Sequence, residues 1–165
     1  MTTAIYPGSF DPITLGHLNI IRRASDVFEK VVVCVMVNSA KSPMFSLDER
    51  VELISRVVSR FPNVTVDTSD VMLAEYAKRY ENAVIVKGLR AVSDFESEFQ
   101  MALINKKVNP GLETIFLTAS EKYTFLSSSV VKEMARYGAD LTEFVPCEII
   151  PDVQSRSQYR KEEEK

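Results

Sequence analysis

The 165-residue sequence contains no tryptophan, a single histidine and only two cysteines, and it has no excess of positive charge, its formal net charge being -3. Cys34 sits in the apolar run 31–37 and Cys147 follows Pro146, and neither has a Cys or His partner at metal-ligand spacing. A disulfide scaffold is therefore not expected, and both read as reduced thiols of a cytoplasmic protein. The slightly acidic balance argues weakly against a nucleic-acid binder, since a general polyanion binder is more often basic, but it leaves room for a small anionic ligand held by a few placed cations. No apolar run is long enough to span a bilayer. Met1-Thr2-Thr3-Ala4 is not a basic segment leading into an apolar stretch, so no signal peptide is expected. What remains, 45% hydrophobic and 26% charged residues, fits one soluble globular domain over residues 1–165 that can bury a core without disulfides or a structural metal.

Short β-branched runs alternate with helical patterns along the chain. Ala4-Ile5-Tyr6 predicts a first strand, and residues 16–28 a helix burying Leu18, Ile21, Val27 and Phe28. The continuous apolar run 31–37 suits a strand covered on both faces, as in a parallel sheet. Ser46-Leu47-Asp48-Glu49 reads as a capping box opening a helix to about Arg60, near Pro62. Strands follow at 64–66, 83–86 and 114–117, with helices at 71–80, from a second capping box at Ser93 and Glu96 towards Asn109, and from Ser128 to Gly138. The pattern predicts an α/β fold: a Rossmann-like, doubly wound parallel sheet of about five strands with helices on both faces. The polar, charged segment from about 152 onward is expected to be a flexible tail.

In such sheets ligands bind beyond the carboxyl ends of the strands, and three segments there carry donors. The loop Pro7-Gly8-Ser9-Phe10-Asp11-Pro12 leads to Gly16-His17 at a helix start, where free amides and the dipole favour an anion. The same dipole disfavours a charged imidazole, so His17 is expected to be a neutral donor. Taken alone, His17 also fits a surface histidine in a Pro/Gly-rich turn. Lys87-Gly88-Leu89-Arg90 places two cations around a glycine at a strand end, though solvated charges there are equally ordinary. Ser127-Ser128-Ser129 before a helix, with Lys132 one turn in, is a phosphate-binding arrangement or a plain serine cap. Lys41, after the second strand, reads on its own as a surface residue. The segments gain weight together because all fall at one predicted edge of one sheet.

In this order the segments resemble the nucleotidyltransferases with a His-x-Gly-His motif, here Thr14-Leu15-Gly16-His17. The lead-in 7–12, the stretch Gly88-Leu89-Arg90-Ala91-Val92-Ser93-Asp94-Phe95-Glu96 and the three serines are similar to the bacterial phosphopantetheine adenylyltransferases, to about Pro146. The resemblance implies AMP transfer from ATP to 4′-phosphopantetheine, giving dephospho-coenzyme A and pyrophosphate, with magnesium arriving on ATP and no metal site of the protein's own. It implies a homohexamer and coenzyme A as feedback inhibitor. By the same resemblance Ser9, Phe10, His17, Gly88, Leu89, Arg90, Glu98 and the stretch Tyr123, Thr124, Phe125, Leu126, Ser127, Ser128 and Ser129 serve ATP. Ser9, Lys41, Leu73 and Lys87 serve the acceptor. His17 stabilises the transition state, and Lys41 and Arg90 are further catalytic cations. The chain departs from the pattern at Lys87, usually Arg, and at Ser97, where an aromatic is common. Two rivals remain on the sequence alone: a relative using another acceptor, and a nucleotide sensor without turnover.

Overall fold

The computed structural model describes residues 1–37 and 42–163, without the side chains of residues 92–93 and 158–163. Strand β1 (Thr3–Gly8) is followed by α1 (Leu15–Val27), β2 (Lys30–Met36), α2 (Leu47–Val58), β3 (Val64–Ser69), α3 (Leu73–Tyr76), β4 (Ala83–Leu89), α4 (Val92–Val108), β5 (Glu113–Thr118), α5 (Ser128–Arg136) and α6 (Ile150–Glu163). The strands form one parallel sheet in the order β3-β2-β1-β4-β5. The chain winds outward from β1 to β3 and then returns to β1's other side with β4. The junction of β1 and β4 is thus the topological switch point, where a doubly wound sheet opens a crevice for ligands.

Alternation along the strands divides the core. Ala4, Tyr6, Val31, Val33 and Val35 join Ile21, Ile54, Val57, Leu141, Ile149 and Val153 in one buried cluster, while Ile5, Val32, Cys34 and Ile85 join Ala74, Tyr76, Ala77 and Leu112 in the other. Local chemistry sets the helix ends. Ser46 and Glu49 form the expected capping box on α2. Gly138, at φ +72°, ends α5: its amide bonds the Ala135 carbonyl and that of Ala139 bonds Met134, a left-handed turn that glycine adopts without strain.

Four local expectations are corrected. Val27 is 73% exposed rather than buried, lying on the outer side of α1. The helix expected over 71–80 is one turn, α3, continued by a 3₁₀ turn Ala77–Arg79. Helix α4 starts at Val92 with Ala91 as its cap, so Ser93 lies inside the first turn and the proposed second capping box does not form. The segment from 152 is not a flexible tail at its start but part of α6. Val153 is fully buried, Arg56 bonds Asp152 and the Glu148 carbonyl, and Arg156 pairs with Glu49 and lies over the Phe45 ring. Among the described residues no helix is long and apolar enough to cross a membrane.

Candidate active site

The β1–β4 ladder ends at the Ile5–Ile85 pair, although β1 continues to Gly8 and β4 to Leu89. Beyond that rung the strands part around a cavity of about 250 Å³. Its walls are Tyr6, Pro7 and Gly8 from β1; Thr14, Gly16, His17 and Ile20 from α1 and its cap; Lys87, Gly88, Arg90, Asp94 and Glu98 from β4 and α4; and Ala119, Tyr123, Leu126, Ser127 and Ser128. Two glycines make the approach possible. A Cβ on Gly88 would sit 3.0 Å from Ile20, so glycine lets α1 press against β4, and one on Gly8 would sit 3.1 Å from the Phe10 ring.

Thr14 is the N-cap of α1, and His17 takes the part that Glu plays in an ordinary capping box. The Thr14 hydroxyl accepts from the His17 amide at 3.2 Å, and the Thr14 amide donates to His17 Nδ1 at 3.0 Å. With Nδ1 accepting, the ring proton belongs on Nε2, which leaves Nε2–H as the free donor of the imidazole. Burial, reinforced by the Arg90 charge, holds the His17 pKa down at about 4. The neutral state expected from sequence therefore follows, but from desolvation and a neighbouring guanidinium rather than from the helix dipole alone.

The cations around the cavity are paired. Lys87 faces Glu98 at 3.1 Å; Arg90 binds Asp94 through Nε at 3.1 Å and the Leu126 carbonyl through Nη1 at 2.9 Å. A guanidinium has five N–H donors, so Arg90 retains several for an anion while tying the start of α4 to the turn before α5. Ser127 caps α5 by accepting from the Val130 amide, and the Ser128 hydroxyl donates to the Pro12 carbonyl.

A second cavity of about 340 Å³ adjoins the first through Ser128 and is lined by Ser9, Asp11, Ser42, Pro43, Arg50, Ser129 and Lys132. Buried Asp11 organises it, accepting from the amides of Met44 and Phe45 at 2.8 Å each and pairing with Lys132 at 2.7 Å. Arg50 donates to the Ser9 carbonyl at 2.9 Å. The Lys132 ammonium singled out from sequence is thus held on a carboxylate.

The structure brings His17, Lys87, Gly88, Arg90, Glu98, Tyr123, Leu126, Ser127 and Ser128 to the first cavity and Ser9 and Ser129 to the second. Phe10 is buried, at φ +48°, and lines neither cavity. Thr124 bonds the Glu121 carbonyl, Phe125 is 58% exposed against Phe144, and Leu73 packs on the opposite sheet face; neither cavity includes them or Leu89. Lys41 lies outside the described residues. Sequence reasoning missed Tyr6, Asp94 and Arg50. The signal for Tyr6 was its place at the end of the first strand; Asp94 lay within the quoted central segment; Arg50, in mid-helix, carried none. Among the described residues no group of three or more His, Cys, Asp and Glu side chains could hold a metal ion.

Known proteins give this geometry its context. Residues 5–134 match the cytidylyltransferase-like family. The chain is 58% identical over 146 residues to the phosphopantetheine adenylyltransferase of Caldanaerobacter subterraneus, covering 88% of this chain and 91% of that one. It is 51% identical over 162 residues to that of Clostridium botulinum, covering 98% and 99%. The fold also matches a Plasmodium falciparum nicotinic acid mononucleotide adenylyltransferase, at 15% identity and a TM-score of 0.64 over 97% of this chain and 96% of that one. The chain belongs to the phosphopantetheine adenylyltransferase family, within the cytidylyltransferase-like group.

Proposed function

We propose that the chain transfers AMP from ATP to 4′-phosphopantetheine, giving dephospho-coenzyme A and pyrophosphate. The observation that carries this reading, beside family membership, is a neutral His17 at the switch-point cavity whose Nδ1 is committed to Thr14 and whose Nε2–H is free. An oxygen of the acceptor phosphate attacks the α-phosphorus in line. The new P–O bond forms as the bond to the β-phosphate bridge breaks, and pyrophosphate leaves with the electron pair. The nucleophile is already anionic at neutral pH, so no strong base is required. The protein's work is alignment and charge stabilisation, in which His17 donates to a non-bridging α-phosphate oxygen. Arg90, with Ser127 and Ser128, serves ATP, and Lys87 with Lys41 serves the acceptor phosphate. ATP enters as its magnesium complex. The carboxylates at the two cavities are engaged with Lys87, Arg90 and Lys132, which supports a metal that travels with the substrate.

Self-association belongs to the same reading. Helix α4 exposes Phe95, Phe99, Met101, Leu103 and Ile104, each more than 40%, beside Ile115 of edge strand β5. Exposed aromatic and aliphatic side chains gathered on one helix mark an interaction surface, and a second copy of the chain, in a homohexamer, is the proposed cover. Cytoplasmic location and feedback by coenzyme A in the same cavity complete the proposal.

A pyrophosphate-coupled assay with ATP and phosphopantetheine tests the reaction. Turnover is expected with that acceptor and none with pantetheine lacking the phosphate, even at saturation, because a neutral hydroxyl replaces the anionic nucleophile. Comparable turnover of pantetheine would refute the mechanism. Preference for a mononucleotide acceptor would refute the assignment of substrate.

A further inference from the structure

Tyr6 is the first residue of β1 beyond its last rung with β4. It is only 6% exposed. Its ring meets the Phe10 ring edge-on at 5.3 Å and lies 6.4 Å from the His17 ring, while its backbone stays in register with Val33 of β2. The hydroxyl has no hydrogen-bond partner among the described residues. Among the described residues no fully buried polar side-chain atom lacks a partner, so the oxygen meets the cavity that Tyr6 lines rather than packed protein. A tyrosine this deeply buried ordinarily finds a partner for its O–H, and a phenylalanine would satisfy the packing equally well. The hydroxyl is a donor whose acceptor is missing.

Resting on the reaction proposed above, we infer that the Tyr6 hydroxyl binds the acceptor substrate, donating a hydrogen bond to an oxygen of its phosphate beside Lys87. The cavity wall supports this. Tyr6 lies one residue beyond the last β1–β4 rung and Lys87 two, so they leave the sheet on opposite faces, yet both line the cavity that opens at the fork. Glu98, which holds Lys87, and Arg90 are near enough for their charges to act on the phenol. Burial pushes the phenol far above the ordinary tyrosine range, so it stays protonated and acts as donor to an anion, not as base. ATP has its own donors at His17, Arg90 and the serine turn, which leaves the fork to the acceptor.

The test is Tyr6→Phe in the full chain, which keeps the ring and its packing and removes one oxygen. The KM for phosphopantetheine is expected to rise about tenfold, as for loss of a hydrogen bond to a charged group, with the KM for ATP within about twofold. The unliganded melting temperature should hold or rise, because no partner is lost in the empty protein; a structural role for the hydroxyl would lower it. Unchanged kinetics, or a rise in the KM for ATP alone, overturns the inference. Calorimetric titration of phosphopantetheine without ATP separates this from the reaction itself. Wild-type binding without turnover would count against the proposed reaction only. Equal binding by wild type and Tyr6→Phe would count against Tyr6.

Discussion

The two faces of the sheet are finished differently. On one, Tyr6, Val31, Val33 and Val35 are sealed by α1, α2, α6 and the turn before α6 through Ile21, Ile54, Val57, Val153 and Ile149, and these valines and isoleucines are at most 1% exposed. On the other, one short helix supplies Ala74 and Tyr76, and the long α4 turns Phe99, Met101 and Leu103 outward. The same sheet is thus closed by its own chain on one side and left with uncovered apolar surface on the other. The first face can be rigid because its cover is covalently supplied, and it is the face whose first helix carries His17. The second keeps apolar side chains of α4 exposed, the surface on which the proposed self-association depends.

The sharpest break of this comparison is at the site on the closed face. His17→Ala should lower turnover by about 10²–10³-fold, the usual cost of one preorganised donor, while the Kd for ATP changes far less; unchanged turnover in a folded variant would remove His17 from the mechanism. Next come the cores. Ile54→Ala, at a fully buried position, should cost about 2–5 kcal/mol in urea unfolding, whereas Ile104→Ala, 41% exposed, should cost about 1 kcal/mol or less under conditions where the chain is dispersed. Equal costs would mean the faces do not differ. Phe99→Asp with Leu103→Asp should dissociate the proposed assembly in sedimentation velocity while leaving the far-ultraviolet circular dichroism intact; an unchanged sedimentation coefficient would count against self-association through α4.

The smallest effect is a titration. Because the sequence has one histidine, a single imidazole signal reports on the site by NMR. It should titrate at about 4 in the folded protein, against 6.5 for an ordinary histidine. Between those values the unfolded chain takes up a proton that the folded one refuses. The His17 contribution is therefore complete above pH 6.5 and declines as pH falls towards 4. A midpoint near 6.5 would show a solvated, uncommitted ring.

Much of this was legible in the residues. β2 announced itself because a parallel central strand is apolar on both faces, and α2 because Ser46 and Glu49 carry their own capping instruction. The segments 87–98 and 127–129 converge because parallel strands deliver their following loops to one edge. Other features depend on tertiary partners that no local pattern encodes. Val153 is the buried anchor of an otherwise polar helix, and Arg156 is held there by Glu49 and the Met44 carbonyl, far away in sequence. The resemblance to a known family named the cations, but not that Glu98, Asp94 and Asp11 already engage them. A phosphate entering this cleft has to compete with those carboxylates or settle on the remaining donors, and only coordinates reveal that.

The fork between β1 and β4 carries a consequence for how the molecule breathes. Each strand remains zipped to its outer neighbour, β1 to β2 as far as Gly8 and β4 to β5 as far as Leu89, so the parted ends resemble the open teeth of a fastener whose outer tapes are sewn down. A bound molecule that touches both ends supplies the missing teeth. Amide hydrogens at Ile5, Tyr6, Gly8 and residues 85–88 should then exchange with solvent more slowly when the cleft is occupied, and the protection should spread down the central strands, although no loop has to close over them. In that sense the substrates are temporary strands of the sheet, and the protein is most completely folded while it is at work.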